Sequence, residues 1–245
     1  MNDVRPSAAV ASMDTSAVGT AVLVHGLWGN PEDWRWVREL VRDAGAVVVA
    51  PDLPSHRAPR AGLLDDAEEV REIIRGAIPP VVVAGWSYGG MVISVAADGE
   101  PSVSRLVYIS AVPGLVRREG FTDWIDEDPD LIRHPNGTFV LNNDWWLNEE
   151  AGTTFPAEVR DHLRRHPRRP VSRMAMSDPQ PAAAWQTIPT TLVVGRFDDG
   201  GPADLEEVAA LVQETRVLEC DHFAIFRAPG PVSRAILDGF PPSSG

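Results

Sequence analysis

The sequence predicts an α/β fold: a doubly wound, mainly parallel sheet of about six strands flanked by helices, with a small, mostly helical cap. Three observations predict it. Short β-prone apolar runs alternate with helix-periodic stretches, the pattern of βαβ units. The one long interruption of that alternation, residues 113–186, exceeds an ordinary connection and reads as an insertion. Reactive side chains also fall just after strand candidates, where open parallel sheets place their ligand sites.

The elements follow in order. Thr20–Val24 is the first strand candidate, and a helix is expected over Pro31–Ala44. Asn30 can cap it, Pro31 suits its first position, and Glu32 and Asp33 put negative charge in its first turn. Next come a strand at Ala46–Ala50 and a helix at Asp65–Ala77. The third strand, Pro80–Ala84, runs into Gly85-Trp86-Ser87-Tyr88-Gly89-Gly90, with a helix over Met91–Asp98 beyond it. Arg105–Ile109 completes the first half of the core, residues 20–112. The insertion carries Trp124, Trp145, Trp146 and Trp185, many prolines and no convincing strand. The core resumes over residues 187–240 with strands Thr190–Val194 and Thr215–Glu219 and helices Ala203–Val212 and Pro231–Asp238. Residues 1–19 and 241–245 read as tails.

Composition narrows the function. The 245 residues, 44% of them apolar, can fill a substantial core, and no run approaches the roughly 20 apolar residues of a membrane span. A net charge of −13, from 22 basic and 35 acidic residues, repels phosphate backbones and anionic membranes, so neither nucleic acid nor membrane is an expected partner. The start lacks the basic-then-apolar pattern of a secretory leader, and the lone Cys220 fits a reducing compartment. The expected location is cytoplasmic. A homodimer stays open, since no seam can be read.

A Gly-x-Ser-x-Gly pentapeptide between a strand and a helix builds a tight turn that exposes the serine above the sheet edge. Ser87 is therefore the candidate nucleophile. Asp198 follows the fifth strand and His222 the last, so nucleophile, acid and base fall on one edge in the order Ser…Asp…His. His222 would take the Ser87 proton and later return one to the leaving group. Asp198, preferred over Asp199 by the Gly195-x-x-Asp spacing, would fix the imidazole's tautomer and orientation. The N–H groups of Leu27 and Tyr88 are the expected oxyanion donors. Candidate pocket residues are His25, Gly26, Trp28, Trp124, Trp145 and Trp146, with His25 read more readily as a brace for its loop than as a catalytic group. His56 is the rival base on the same edge, and His134, His162 and His166 read as solvent-facing cap residues. No His-Glu-x-x-His or paired Cys-x-x-Cys spacing suggests a metal, and no Gly-rich nucleotide loop occurs. The chemistry calls for no metal or organic cofactor.

With these landmarks the chain resembles the α/β-hydrolase superfamily over roughly residues 20–240: His25-Gly26 after the first strand, the Gly85–Gly90 elbow, Gly195-x-x-Asp198, and His222-Phe223. Ala182-Ala183-Ala184-Trp185…Ile188-Pro189 and the small cap look like the branch of plant-type methylesterases and hydroxynitrile lyases with their bacterial relatives. The resemblance implies a Ser-His-Asp site and a pocket between sheet edge and cap. Two residues depart from the family pattern: Trp86 stands where His is common, and Asp221 where Gly is common. The expected function is hydrolysis of a small, fairly apolar carboxylic ester, of methyl ester or lactone type. The alternatives are a lyase or cyclase on the same scaffold and a ligand-binding receptor.

Overall fold

The computed structural model describes residues 18–145, 154–199 and 205–241. Most of the expected tails therefore lie outside the described residues, as does Trp146. In chain order the first elements are β1 (Thr20–Val24), α1 (Arg35–Asp43), β2 (Val47–Val49), α2 (Leu63–Gly76), β3 (Val81–Trp86), α3 (Tyr88–Ala96) and β4 (Val103–Ile109). The cap segment contributes α4 (Asp123–Glu127), β5 (Leu131–Arg133), β6 (Thr138–Leu141), α5 (Asn143–Trp145), α6 (Ala157–Arg165), β7 (Val171–Ser172) and α7 (Met174–Ser177). The chain then adds β8 (Thr190–Gly195), α8 (Leu205–Ala209), β9 (Glu214–Leu218), α9 (Ala224–Arg227) and α10 (Pro229–Leu237).

Six parallel strands form the main sheet in the order β2-β1-β3-β4-β8-β9. β1 and β3 are buried along their whole length, which is why they read as continuous apolar runs rather than alternating ones. Alternation decides which face each residue serves. Val22, Val24, Val81 and Val83 pack with Val70 and Ile74 of α2 and Ile93 of α3. Their neighbours Ala21, Leu23, Val82 and Ala84 pack on the other face with Val37 and Val41 of α1 and Ile236 of α10. Asn30 caps as expected, its side chain accepting from Glu32 N–H at 2.9 Å, but the first turn, Pro31–Trp34, is a 3-10 turn leading into α1.

The cap segment holds more helix than strand, yet it also contains a three-stranded antiparallel sheet, β5-β6-β7, which the periodicity did not reveal. β5 and β6 form a hairpin closed by His134-Pro135-Asn136-Gly137, with Gly137 at φ +86°. The Asn-Gly pair was the available signal. Among the described residues no helix is long and apolar enough to cross a membrane.

Candidate active site

The strand order creates the site. From β1 the chain goes to β2 on one side and then crosses to β3 on the other, so a crevice opens beyond the carboxyl ends of β1 and β3. The β1 loop, His25 to Gly29, and Ser87 both sit there. Ser87 occupies φ 54°, ψ −120°, a conformation that costs about 1–3 kcal/mol and persists only where its surroundings enforce it. The neighbouring glycines show how they do. A β-carbon on Gly89 would collide with the Val24 carbonyl oxygen, and one on Gly85 with the Gly89 carbonyl oxygen. Only bare backbone lets α3 start this close to the sheet. Tyr88 is the first residue of α3, so its N–H has no partner within the helix. The β1 loop runs beside the serine, since a β-carbon on Gly26 would lie 3.1 Å from Ser87 Cβ.

Asp198 and His222 arrive on adjacent strands. The two loops are tied by Phe197 N–H donating to the Cys220 carbonyl at 3.0 Å. His222 Nδ1 lies 2.9 Å from Asp198 Oδ1, and the Asp198 side chain is fully buried while the histidine side chain is 30% exposed. Asp199 is exposed. The carboxylate thus directs the Nδ1 proton toward itself, which leaves Nε2 as the basic nitrogen.

Two cavities, of about 490 and 420 Å³, share Leu27, Ser87, Trp124 and His222 in their walls. Tyr88 lines the first, and Gly26 and Trp28 the second. Trp28, Trp124 and Phe139 of the cap hairpin stack edge-to-face with centroids 5.8–6.4 Å apart, so these tryptophans both line the site and hold the cap on it. Trp145 ends α5, and Trp146 lies outside the described residues. His25 departs from the pocket role: it is fully buried and lines neither cavity. Its Nδ1 donates to the Gly26 carbonyl at 2.9 Å and its Nε2 accepts from Leu53 N–H at 3.4 Å, so it braces the loop, and burial lowers its pKa to about 4.

His56 lines a separate cavity and belongs to a buried cluster. Asp66 accepts from Ser55 N–H, Ser55 Oγ and the Tyr88 hydroxyl at 2.6–2.8 Å. With the Ser55 proton directed at Asp66, His56 Nδ1 donates to Ser55 Oγ at 3.0 Å. Burial raises the Asp66 pKa to about 6 and holds His56 well below its ordinary value. His162 also departs from expectation. It is buried, contacts the Glu32 carbonyl at 2.9 Å and stacks on Trp36.

The two unusual family positions have clear work. The Trp86 indole N–H donates to the His222 carbonyl at 2.9 Å, which positions the histidine's backbone. Asp221 accepts from Phe223 N–H at 3.0 Å and pairs with Arg227 at 2.9 Å, so its charge is neutralised beside His222. The Trp86 partner lies 136 residues away, so no local signal announces that contact, whereas Asp221 meets Phe223 and Arg227 within its own segment.

The model of the alpha/beta hydrolase family matches residues 21–235. The chain belongs to the alpha/beta hydrolase family. As a member it is similar to pimeloyl-[acyl-carrier protein] methyl ester esterases: 33% identical over 114 residues to that of Serratia marcescens, covering 45% of this chain and 42% of the relative. The Xylella fastidiosa (strain 9a5c) protein is 40% identical over 104 residues, covering 42% and 39%. The matched stretches thus span less than half of either curated relative. Among solved structures, this alpha/beta hydrolase is similar to a pyrethroid hydrolase from Sphingobium faniae JZ-2, with TM-score 0.71, 20% identity and coverage of 89% and 96%. A methylesterase from Arabidopsis matches with TM-score 0.68, 19% identity and coverage of 89% and 97%. At such identities the structural likeness speaks for the fold.

Proposed function

We propose that the protein is a serine hydrolase of small, fairly apolar carboxylic esters, of methyl ester or lactone type, acting through an acyl-enzyme. One observation carries the reading: His222, bound through Nδ1 to buried Asp198 at 2.9 Å, stands in the walls of the same cavities as Ser87. His222 Nε2 takes the Ser87 hydroxyl proton as Oγ bonds to the ester carbon. The oxyanion is held by the N–H groups of Leu27 and Tyr88. Collapse breaks the bond to the alcohol oxygen, which receives the proton from His222. Water, deprotonated by the same nitrogen, then attacks the acyl-enzyme and releases the acid and free Ser87. Two lobes meeting at the serine suit the acyl and alcohol halves of an ester, and the methyl ester esterases among the relatives support the methyl ester choice.

The test is Ser87→Ala against a panel of methyl esters and lactones, together with an organophosphonate ester probe read by intact mass. Turnover lost in the variant and a probe adduct on Ser87 are expected. A variant as fast as the parent overturns the mechanism. A Ser87 adduct without turnover of any ester points instead to lyase or cyclase chemistry on this scaffold.

A further inference from the structure

Each of the two lobes at Ser87 has one arginine in its wall, and the two arginines differ. In the smaller lobe, Arg168 gives both terminal nitrogens to Asp33, at 2.9 and 3.0 Å, with side chains only 3% and 0% exposed. That charge is neutralised, so the lobe offers an electrically quiet wall. In the larger lobe, Arg117 has no acidic partner among the described residues. Its guanidinium lies over the Phe121 ring, 4.4 Å from the centroid, and one terminal nitrogen reaches Met91 Sδ at 3.8 Å. A thioether is a weak acceptor, and among the described residues no other group accepts from this guanidinium. Partial burial lowers the Arg117 pKa, the direction expected of a cation partly withdrawn from water with no acidic partner beside it. This occurs in a chain with a net charge of −13, where a carboxylate partner is easily supplied.

The position is held. Arg117 and Gln180 bond main chain to main chain in both directions, at 2.9 and 3.0 Å, as an antiparallel bridge. Residues paired this way project to one face, and both line the larger lobe. Gln180 is buried and gives its amide N–H group to the Gly114 and Ala182 carbonyls, so its Oε1 remains without a partner. Ser110 Oγ, in the same wall, is also buried without one. Met91 and Met176 add apolar wall to the same lobe.

We propose that Arg117 is a specificity residue that binds a carboxylate on the substrate, separated from the reacting carbonyl by an apolar chain or ring. The planar fork of an arginine matches a carboxylate with two parallel hydrogen bonds, and stacking on Phe121 fixes the plane of that fork. Such a substrate is a half-ester of a dicarboxylic acid. The proposal rests on the hydrolase reading for the word substrate but not for the binding of the anion.

Monomethyl adipate and dimethyl adipate, an anionic and a neutral ester of one chain length, test it with the parent, Arg117→Gln and Arg117→Lys. The expected result is a ratio of half-ester to diester kcat/KM that falls about tenfold or more in Arg117→Gln, through the KM for the half-ester, with Arg117→Lys intermediate. Calorimetric binding of adipate to Ser87→Ala should weaken with salt and be lost on adding Arg117→Gln. An unchanged ratio, or adipate binding that ignores Arg117 or is absent, overturns the proposal while leaving hydrolysis of dimethyl adipate standing. Arg117-dependent adipate binding with no ester turned over keeps the anion site and overturns the hydrolase reading.

Discussion

Two sets of serine, histidine and aspartate lie on the same side of this sheet, and they are wired in opposite senses. In one, Asp198 holds His222, and His222 and Ser87 share a cavity. In the other, Ser55 sits in the middle, giving its proton to Asp66 and receiving one from His56, with all three buried. A serine that already donates to a carboxylate has no proton to yield to an imidazole. The second set also does something the first cannot. Asp66 grips the hydroxyl of Tyr88, whose main-chain N–H stands beside Ser87, so the buried set anchors the start of α3 from behind. Residue types do not make a reactive group; the direction of each hydrogen bond does.

Substitutions in the two sets break or sharpen this contrast. Ser87→Ala should lower ester kcat/KM by roughly 1,000-fold or more, whereas Ser55→Ala should lower it less than tenfold. Equal losses would erase the distinction. Asp198→Asn should follow with a loss of about 100-fold or more in kcat, since it offers the imidazole the wrong partner for its tautomer, while Asp199→Asn stays within about twofold. Ser55→Ala should instead cost about 1–3 kcal/mol of unfolding free energy in urea melts, because Asp66 and His56 lose a buried partner.

A fourth expectation concerns pH. Asp66, raised to about 6, binds more protons folded than unfolded between about pH 4 and 6, so its contribution to stability falls as pH rises through that window. His25, lowered to about 4, acts in the opposite sense: its contribution falls as pH drops from about 6.5 to 4. Asp66→Asn removes one side of this opposition. Urea midpoints of the variant should therefore climb more steeply from pH 4 to 6 than those of the parent, and a flatter curve would contradict the burial of Asp66. The smallest effect belongs to Trp86→Phe, which keeps the ring but deletes the bond to the His222 carbonyl, and should lower kcat about three- to tenfold.

What could be read in the sequence follows the range of the interactions. β1 appears over its expected residues, and β3 runs two residues past its expected end because its ladder with β4 continues to Trp86↔Ile109. Ser87, Asp198 and His222 were legible because each follows a strand closely, and strand ends share one edge. The roles of Trp86 and Asp221 were not, since one depends on a carbonyl 136 residues away and the other on an arginine that also binds Thr154. His162 reads as a surface residue in the sequence because its burial depends on how α6 lies against Glu32 and Trp36. The cap hairpin had its Asn136-Gly137 turn in plain view, but strands of three and four residues carry too little alternation to stand out.

The Arg168–Asp33 pair has a consequence for anyone who would exchange the cap. Asp33 belongs to the core, in the turn that follows the β1 loop, yet its counter-charge comes from the inserted segment. An exchanged cap that covers Asp33 without an equivalent of Arg168 would strand a buried carboxylate beside His25 and Gly29, a loss on the order of 3–5 kcal/mol at the very loop that borders Ser87. Lid and scaffold are thus a single unit of inheritance at this point. A grafted lid must bring its own cation for Asp33, or the graft must begin by neutralising Asp33 itself.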